Sequence, residues 1–244
     1  MFFLHWCSWR SGWWRADRIA IRIAAVTLLS AFPPTSAKAS DVDLEIVLAV
    51  DASGSVDDAE FRLQLLGIAE ALRDGRTQRA ILSGPHGKIA ISMLIWSDAA
   101  FPKFQTPWHI LSDAASANDF ADKAETFHRK AGRSRGIGGG GTAIGDAVAF
   151  AMRMLEENGI SAIRKVVDVS GDGIETPPWF GTAVQLPEAR HLAREQNVMV
   201  NGLAILTDFT ELGEWYRQHV IVGPGSFVVE AHGFEDFKRA MREK

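Results

Sequence analysis

The sequence predicts an α/β fold: a doubly wound, Rossmann-like, mostly parallel sheet with one antiparallel edge strand and helices on both faces. Two observations carry this. Apolar strands alternate with amphipathic helices from residue 44 almost to the end, the pattern that a doubly wound sheet produces. The first strand is also apolar at 44 and at 46–50, as suits a strand buried on both faces in a parallel sheet.

The elements follow in chain order. The first strand ends in Asp51, and Val56 to Arg73 reads as a helix, with Phe61, Leu65, Ile68 and Leu72 on one face of a 3.6-residue period. Asp74-Gly75 stops it, and a polar connection leads to a second strand, Lys88 to Trp96, with Trp96 as core or pocket floor. Phe104 to Leu111 folds back as the antiparallel edge strand, where Pro107 is tolerable. Ser116 to Ala131 is a helix that buries Phe120, Ala124 and Phe127, and Ala143 to Asn158 another, with Ile144, Val148, Ala151 and Leu155 inward. Arg164 to Ser170 is a strand, Thr182 to Gln196 a helix with Pro187 near its start, and Val198 to Leu206 a strand with Asn201 as a structural polar group. A short helix at Glu211 to His219, a strand at Ser226 to Glu230 and a helix at Phe234 to Arg242 close the chain.

Composition separates the N-terminus from the rest. Trp6, Trp9, Trp13 and Trp14 stand among Arg10, Arg15, Arg18 and Arg22, ahead of an apolar run from Ile23 to Phe32 and an Ala37-Lys38-Ala39 site. Residues 1–39 thus read as a secretory signal peptide, and residues 40–244 as a single domain. The apolar run falls short of the ~20 residues that a membrane span requires. Residues 1–39 hold five Lys/Arg, one Asp and the sole cysteine, Cys7, so the mature chain carries a net charge of −8 and no cysteine. That balance argues against nucleic acid and anionic membranes as partners, and the core must form without disulfides.

Three polar clusters interrupt this framework. Asp51-Ala52-Ser53-Gly54-Ser55 follows the first strand, Thr142 follows the run Gly138-Gly139-Gly140-Gly141, and Asp172 stands between Gly171 and Gly173 after a later strand. Open α/β sheets bind ligands at the C-terminal ends of their strands. Carboxylates and hydroxyls gathered there suit a hard divalent cation. The plain alternatives are helix caps: Ser55 ahead of Asp57-Asp58, and Thr142 ahead of the next helix.

Together these clusters resemble the metal-ion-dependent adhesion site of von Willebrand factor A (vWA) domains, and the resemblance spans residues 41–244. It implies Ser53, Ser55 and Thr142 as direct ligands, with Asp51 and Asp172 acting mostly through water. Mg²⁺ is the implied ion, with Mn²⁺ or Ca²⁺ as alternatives. Asp168-Val169-Ser170-Gly171-Asp172-Gly173, Asn201-Gly202-Leu203-Ala204-Ile205 and the stretch Gly223 to Phe227 more narrowly resemble DUF1194, a bacterial family of exported proteins of unknown function.

The function expected is a periplasmic or secreted, cation-dependent protein-binding module. Neutral hydroxyl ligands leave the ion able to accept an Asp or Glu carboxylate from a partner protein. Two helix starts aimed at the ion would favour that anion over the cation, so metal binding alone should be weak. The alternatives are a metal-dependent hydrolase or phosphatase, or a constitutive subunit of an exported complex. Against catalysis, the histidines form no ligand-spaced cluster, the glycine loop lacks a P-loop lysine, and Asp51-Ala52-Ser53-Gly54-Ser55 lacks the first glycine of a Gly-x-Ser-x-Gly nucleophile turn.

Candidate partner contacts are Arg133, Arg135, Glu175, Trp179 and Phe180. The two arginines, with Arg129 and Lys130, read as a positive sector beside the ion or as a solvated loop entry. Glu175 reads as a rim charge or a group approaching the ion, and the two aromatics as contact anchors or sheet packing. If Arg133 and Arg135 steer an acidic partner, reversing both charges lowers the association rate in a surface-plasmon-resonance measurement; an unchanged rate removes that role.

Overall fold

The central strand β1, Asp41–Asp51, lies between two parallel neighbours, β2 (Ile89–Trp96) and β5 (Ser161–Gly171). Beyond β5 come β6 (Met199–Ile205) and β7 (Val228–Ala231), both parallel. The computed structural model describes residues 41–131, 140–177, 183–207 and 209–244, without the side chains of 128–131. The signal-peptide reading of 1–39 lies outside these residues, as do Arg133, Arg135, Trp179, Phe180 and the side chains of Arg129 and Lys130.

The antiparallel edge is two short strands rather than one. β3 (Phe104–Gln105) and β4 (His109–Leu111) both pair with β2, giving a seven-stranded sheet. Pro107 offers no N–H to the ladder between them. Beside it, Thr106 Oγ1 accepts from the Met93 amide at 2.9 Å, and Ser92 Oγ donates to Thr106 O at 2.8 Å.

Helices cover both faces. On one face lie α1 (Asp58–Arg73), α3 (Ala114–Ala131) and α7 (Phe237–Glu243), the last preceded by a 3₁₀ turn at Phe234–Asp236. On the other lie α4 (Ile144–Glu157), α5 (Leu186–Glu195) and α6 (Leu212–His219). The stripe Phe61, Leu65, Ile68 and Leu72 is fully inside, and each such side chain contributes about 1.5–3 kcal/mol of burial. Trp96 is fully buried in the second core.

One helix was not legible as such. Gly75–Ile81 forms α2, where the sequence reads as a polar connection. Asp74 serves as C-cap of α1 and N-cap of α2, so it restarts a helix where it was expected only to end one. Pro187 sits in the first turn of α5, the position where a missing N–H costs nothing. Asn201 Oδ1 accepts from the Phe227 amide at 3.2 Å, tying β6 to the approach of β7.

Two local arrangements set the strand ends in place. Asp57 caps α1 through a capping box, accepting from Ala59 and Glu60 amides while Glu60 accepts from the Asp57 amide. Gly145 lets α4 meet the start of α5: a Cβ there would stand 2.4 Å from Leu186 N and 2.5 Å from Val184 O. Asp57→Ala is expected to cost about 1 kcal/mol of stability. Gly145→Ala is expected to cost about 1–3 kcal/mol, because the atoms in its way are backbone. Urea denaturation measures both; a neutral Gly145→Ala would show that α5 can retreat freely.

Candidate metal centre

Asp51 ends β1 with its side chain completely buried. Its Oδ1 accepts from the Ser53 amide at 2.6 Å, which folds the chain into a tight turn. The turn is held from below: Gln64, itself fully buried, donates from Nε2 to Asp51 O at 2.9 Å, and Ser170 Oγ reaches Gln64 Oε1 at 3.3 Å. Gln64 gave no sequence signal, because a lone glutamine on a helix has no recognisable spacing, and Ser170 stood out only within the stretch Asp168 to Gly173.

From that turn the two serines project together. Ser53 Oγ and Ser55 Oγ are 3.2 Å apart, and Ser55 Oγ donates to Asp172 Oδ1 at 2.8 Å. Three oxygens from two loops separated by more than a hundred residues thus lie along one edge of the sheet. Ser53 and Asp172 are buried, whereas Ser55 faces solvent, so the cluster has an open side.

The glycines explain how the loops come so near. Gly54 does not adopt a positive φ; its lack of a side chain matters because a Cβ would stand 2.8 Å from Gly140 Cα. Gly54 thus stands in the turn that the Val56 amide closes on Ser53 O at 3.1 Å and also permits the close loop-to-loop approach. Thr142 arrives from the glycine loop against Gly173, whose Cβ would lie 3.4 Å from Thr142 Oγ1. Thr176 staples Thr142 in place, accepting from its amide at 2.7 Å and donating its own amide to Thr142 O at 2.9 Å. Sequence reading missed Thr176.

Neither hydroxyl is used as a helix cap. The N-cap of α1 is Asp57, not Ser55, and the N-cap position of α4 is Ala143, with no side-chain cap. The start of α4 is instead served by Glu175, whose Oε2 accepts from the Gly145 amide at 3.0 Å and which also faces the amides of Ile144 and Leu186. Burial raises the Glu175 pKa, while those backbone N–H groups pull it down. Of the partner contacts expected from sequence, Glu175 is the one described, and it is turned into the fold as a shared support for two helix starts.

This alters the electrostatics expected from sequence. Both helix starts are already matched by carboxylates, Asp57 and Asp58 at α1 and Glu175 and Asp146 at α4, so neither offers an unopposed positive end. Asp51 is pushed up to about 7, first by burial and then by the charge of Asp172. Its Oδ2 has no hydrogen-bond partner among the described residues.

The donor set fits a hard divalent cation. It is all oxygen, and the charge of Asp172 adds to burial in raising the pKa of Asp51, a conflict that a cation relieves. Among the described residues no three His, Cys, Asp or Glu cluster as a metal site, so any ion here depends on the hydroxyls. Among those residues, too, no helix is long and apolar enough to cross a membrane.

Several solved structures share this architecture at low identity. The pilus adhesin SpaC from Lactobacillus rhamnosus GG aligns at TM-score 0.54 and 14% identity, over 83% of this chain and 30% of that one. Proximal thread matrix protein 1 from the mussel byssus, with a zinc-occupied MIDAS motif, aligns at TM-score 0.55 and 15% identity, over 84% and 48%. The vWF domain of the type V pili tip protein Mfa5 from Porphyromonas gingivalis aligns at TM-score 0.51 and 10% identity, over 83% and 93%. The chain thus spans less than half the length of the first two. At these identities the likeness shows the fold alone, which is the vWA type. No curated protein matches the sequence. The family model for a protein of unknown function, DUF1194, matches residues 41–244, and the chain belongs to that family.

Proposed function

We propose that this protein is an exported, non-enzymatic binding module that engages a partner protein through a divalent cation. The observation that carries the reading is the hydrogen-bonded run of Ser53, Ser55 and Asp172 at the open sheet edge, backed by buried Asp51. Ser53, Ser55 and Thr142 would hold the ion directly, with Asp51 and Asp172 supporting it, and Mg²⁺ is the ion we expect. When bound, the ion supplies an electrophilic point that accepts an oxygen of a partner's Asp or Glu. The chain's own part is to present neutral oxygens, keep Asp51 away from solvent and leave the Ser55 side open.

Supporting a binding rather than a catalytic role, three of the described histidines are engaged elsewhere. His109 contacts Pro107 O and Lys123, His191 faces Glu195, and His219 stacks on Trp215. Ile174, next to Gly173 on the site loop, is exposed and adds apolar contact area. The signal-like residues 1–39 support export. The pilus and byssus proteins among the fold relatives are in keeping with a protein that acts outside the cytoplasm.

Calorimetric titration with Mg²⁺ or Mn²⁺ is expected to give an affinity on the order of micromolar or weaker. Asp51→Ala and Asp172→Ala each lower it at least about tenfold, while Asp57→Ala leaves it unchanged. Pull-down from the exported fraction should capture a partner that EDTA releases and that Thr142→Ala no longer retains. A partner kept by both Thr142→Ala and Asp51→Ala would sink the metal bridge.

A further inference from the structure

The chain contains a single tyrosine, and it is placed where a tyrosine is costly. Tyr216 on α6 is fully buried, and its hydroxyl has no hydrogen-bond partner among the described residues. A buried hydroxyl left without a partner is unfavourable, so its position calls for a reason.

The sheet has been cleared to admit it. Gly202 on β6 lies under the ring, where a Cβ would stand 2.7 Å from Tyr216 Cδ1. Gly171 on β5 lies under the hydroxyl, where a Cβ would stand 2.8 Å from Tyr216 Oη. That same Cβ would stand 2.7 Å from Asp51 Oδ2, the other buried oxygen without a partner. Donor and acceptor thus flank one small space above Gly171, no farther apart than a single bridging water spans. Any side chain at 171 would fill it. Burial and the nearby charges of Asp51, Asp172 and Glu175 keep the phenol protonated, so it can act as a donor.

We infer that Tyr216 is a positioning residue for the metal centre: its O–H serves Asp51 Oδ2 through one water held in the space above Gly171 and fixes the carboxylate's orientation. Asp51 is then held at both oxygens, by the Ser53 amide at Oδ1 and by the tyrosine at Oδ2. The inference rests on the metal-dependent reading for its purpose, but not for the water-bridged link itself. It links α6, on the far side of β5 from β1, to the geometry of the ion's oxygens.

The test uses the full mature chain. In EDTA, urea unfolding of Tyr216→Phe, Asp51→Asn and the double variant reads the contact without metal. Non-additivity of about fivefold or more in the unfolding constant is expected; additive effects overturn the inference. With Mg²⁺, ring-labelled tyrosine gives one NMR resonance, which should shift on saturation in wild type. Tyr216→Phe and Gly171→Ala should each weaken Mn²⁺ binding about tenfold. Non-additive unfolding with unchanged Mn²⁺ affinity in both variants would overturn the positioning role. If wild type binds no Mn²⁺ yet the EDTA cycle is non-additive, the metal reading falls and the Tyr216–Asp51 coupling stands.

Discussion

The structure turns on a carboxylate held out of water at the end of its central strand. Asp51 has no exposed surface, and burying such a group is unfavourable unless its oxygens are answered. Much of the surrounding sequence follows from that constraint. Ser53 must turn back to offer its amide, Gln64 must sit beneath the backbone carbonyl, and Gly171 must lack a side chain so that something else can approach. The neighbouring Asp172 worsens the problem, since each negative charge raises the cost of the other. On the proposed reading, a cation and a tyrosine answer what remains from opposite sides.

The same economy governs the loops. Asp51–Ser55, Gly140–Thr142 and Asp172–Thr176 come from three crossings of the sheet, and they meet through absent side chains rather than through interlocking ones. Backbone hydrogen bonds between Thr142 and Thr176, and from Ala143 to Ser97, then fix the approach. A site built this way is positioned by strands and helix starts, the rigid parts of the fold, although its donors lie on loops.

Much of this was legible in the sequence because the signals were periodic or punctuated. The stripe Phe61, Leu65, Ile68 and Leu72 marked α1, and the carboxylates after apolar runs marked the strand ends. What was not legible depended on contacts between distant segments. Glu175 reads as an exposed charge until Gly145 and Leu186 are seen beside it. Gly54 reads as a bend, which it is, but nothing in the sequence announces that Gly140 lies against it. Gly171, Gly202 and Tyr216 form one packing unit, yet nothing in their spacing announces it. The helix α2 was hidden for a local reason, since Gly75 reads as a stop and only Asp74's second capping role restarts the helix.

Because Asp57 and Glu175 support the helix starts, the hydroxyls of Ser55 and Thr142 carry none of that burden. On the proposed reading, recognition and folding are thereby separated at the level of single atoms. A lineage could lose or retune the hydroxyls while the scaffold stayed intact. A natural relative with alanine at either position could therefore be well folded, secreted and abundant, and yet have exchanged its ligand for another or for none. Within such a family, shared architecture is weak evidence of shared binding, and the oxygens at these positions are the better guide.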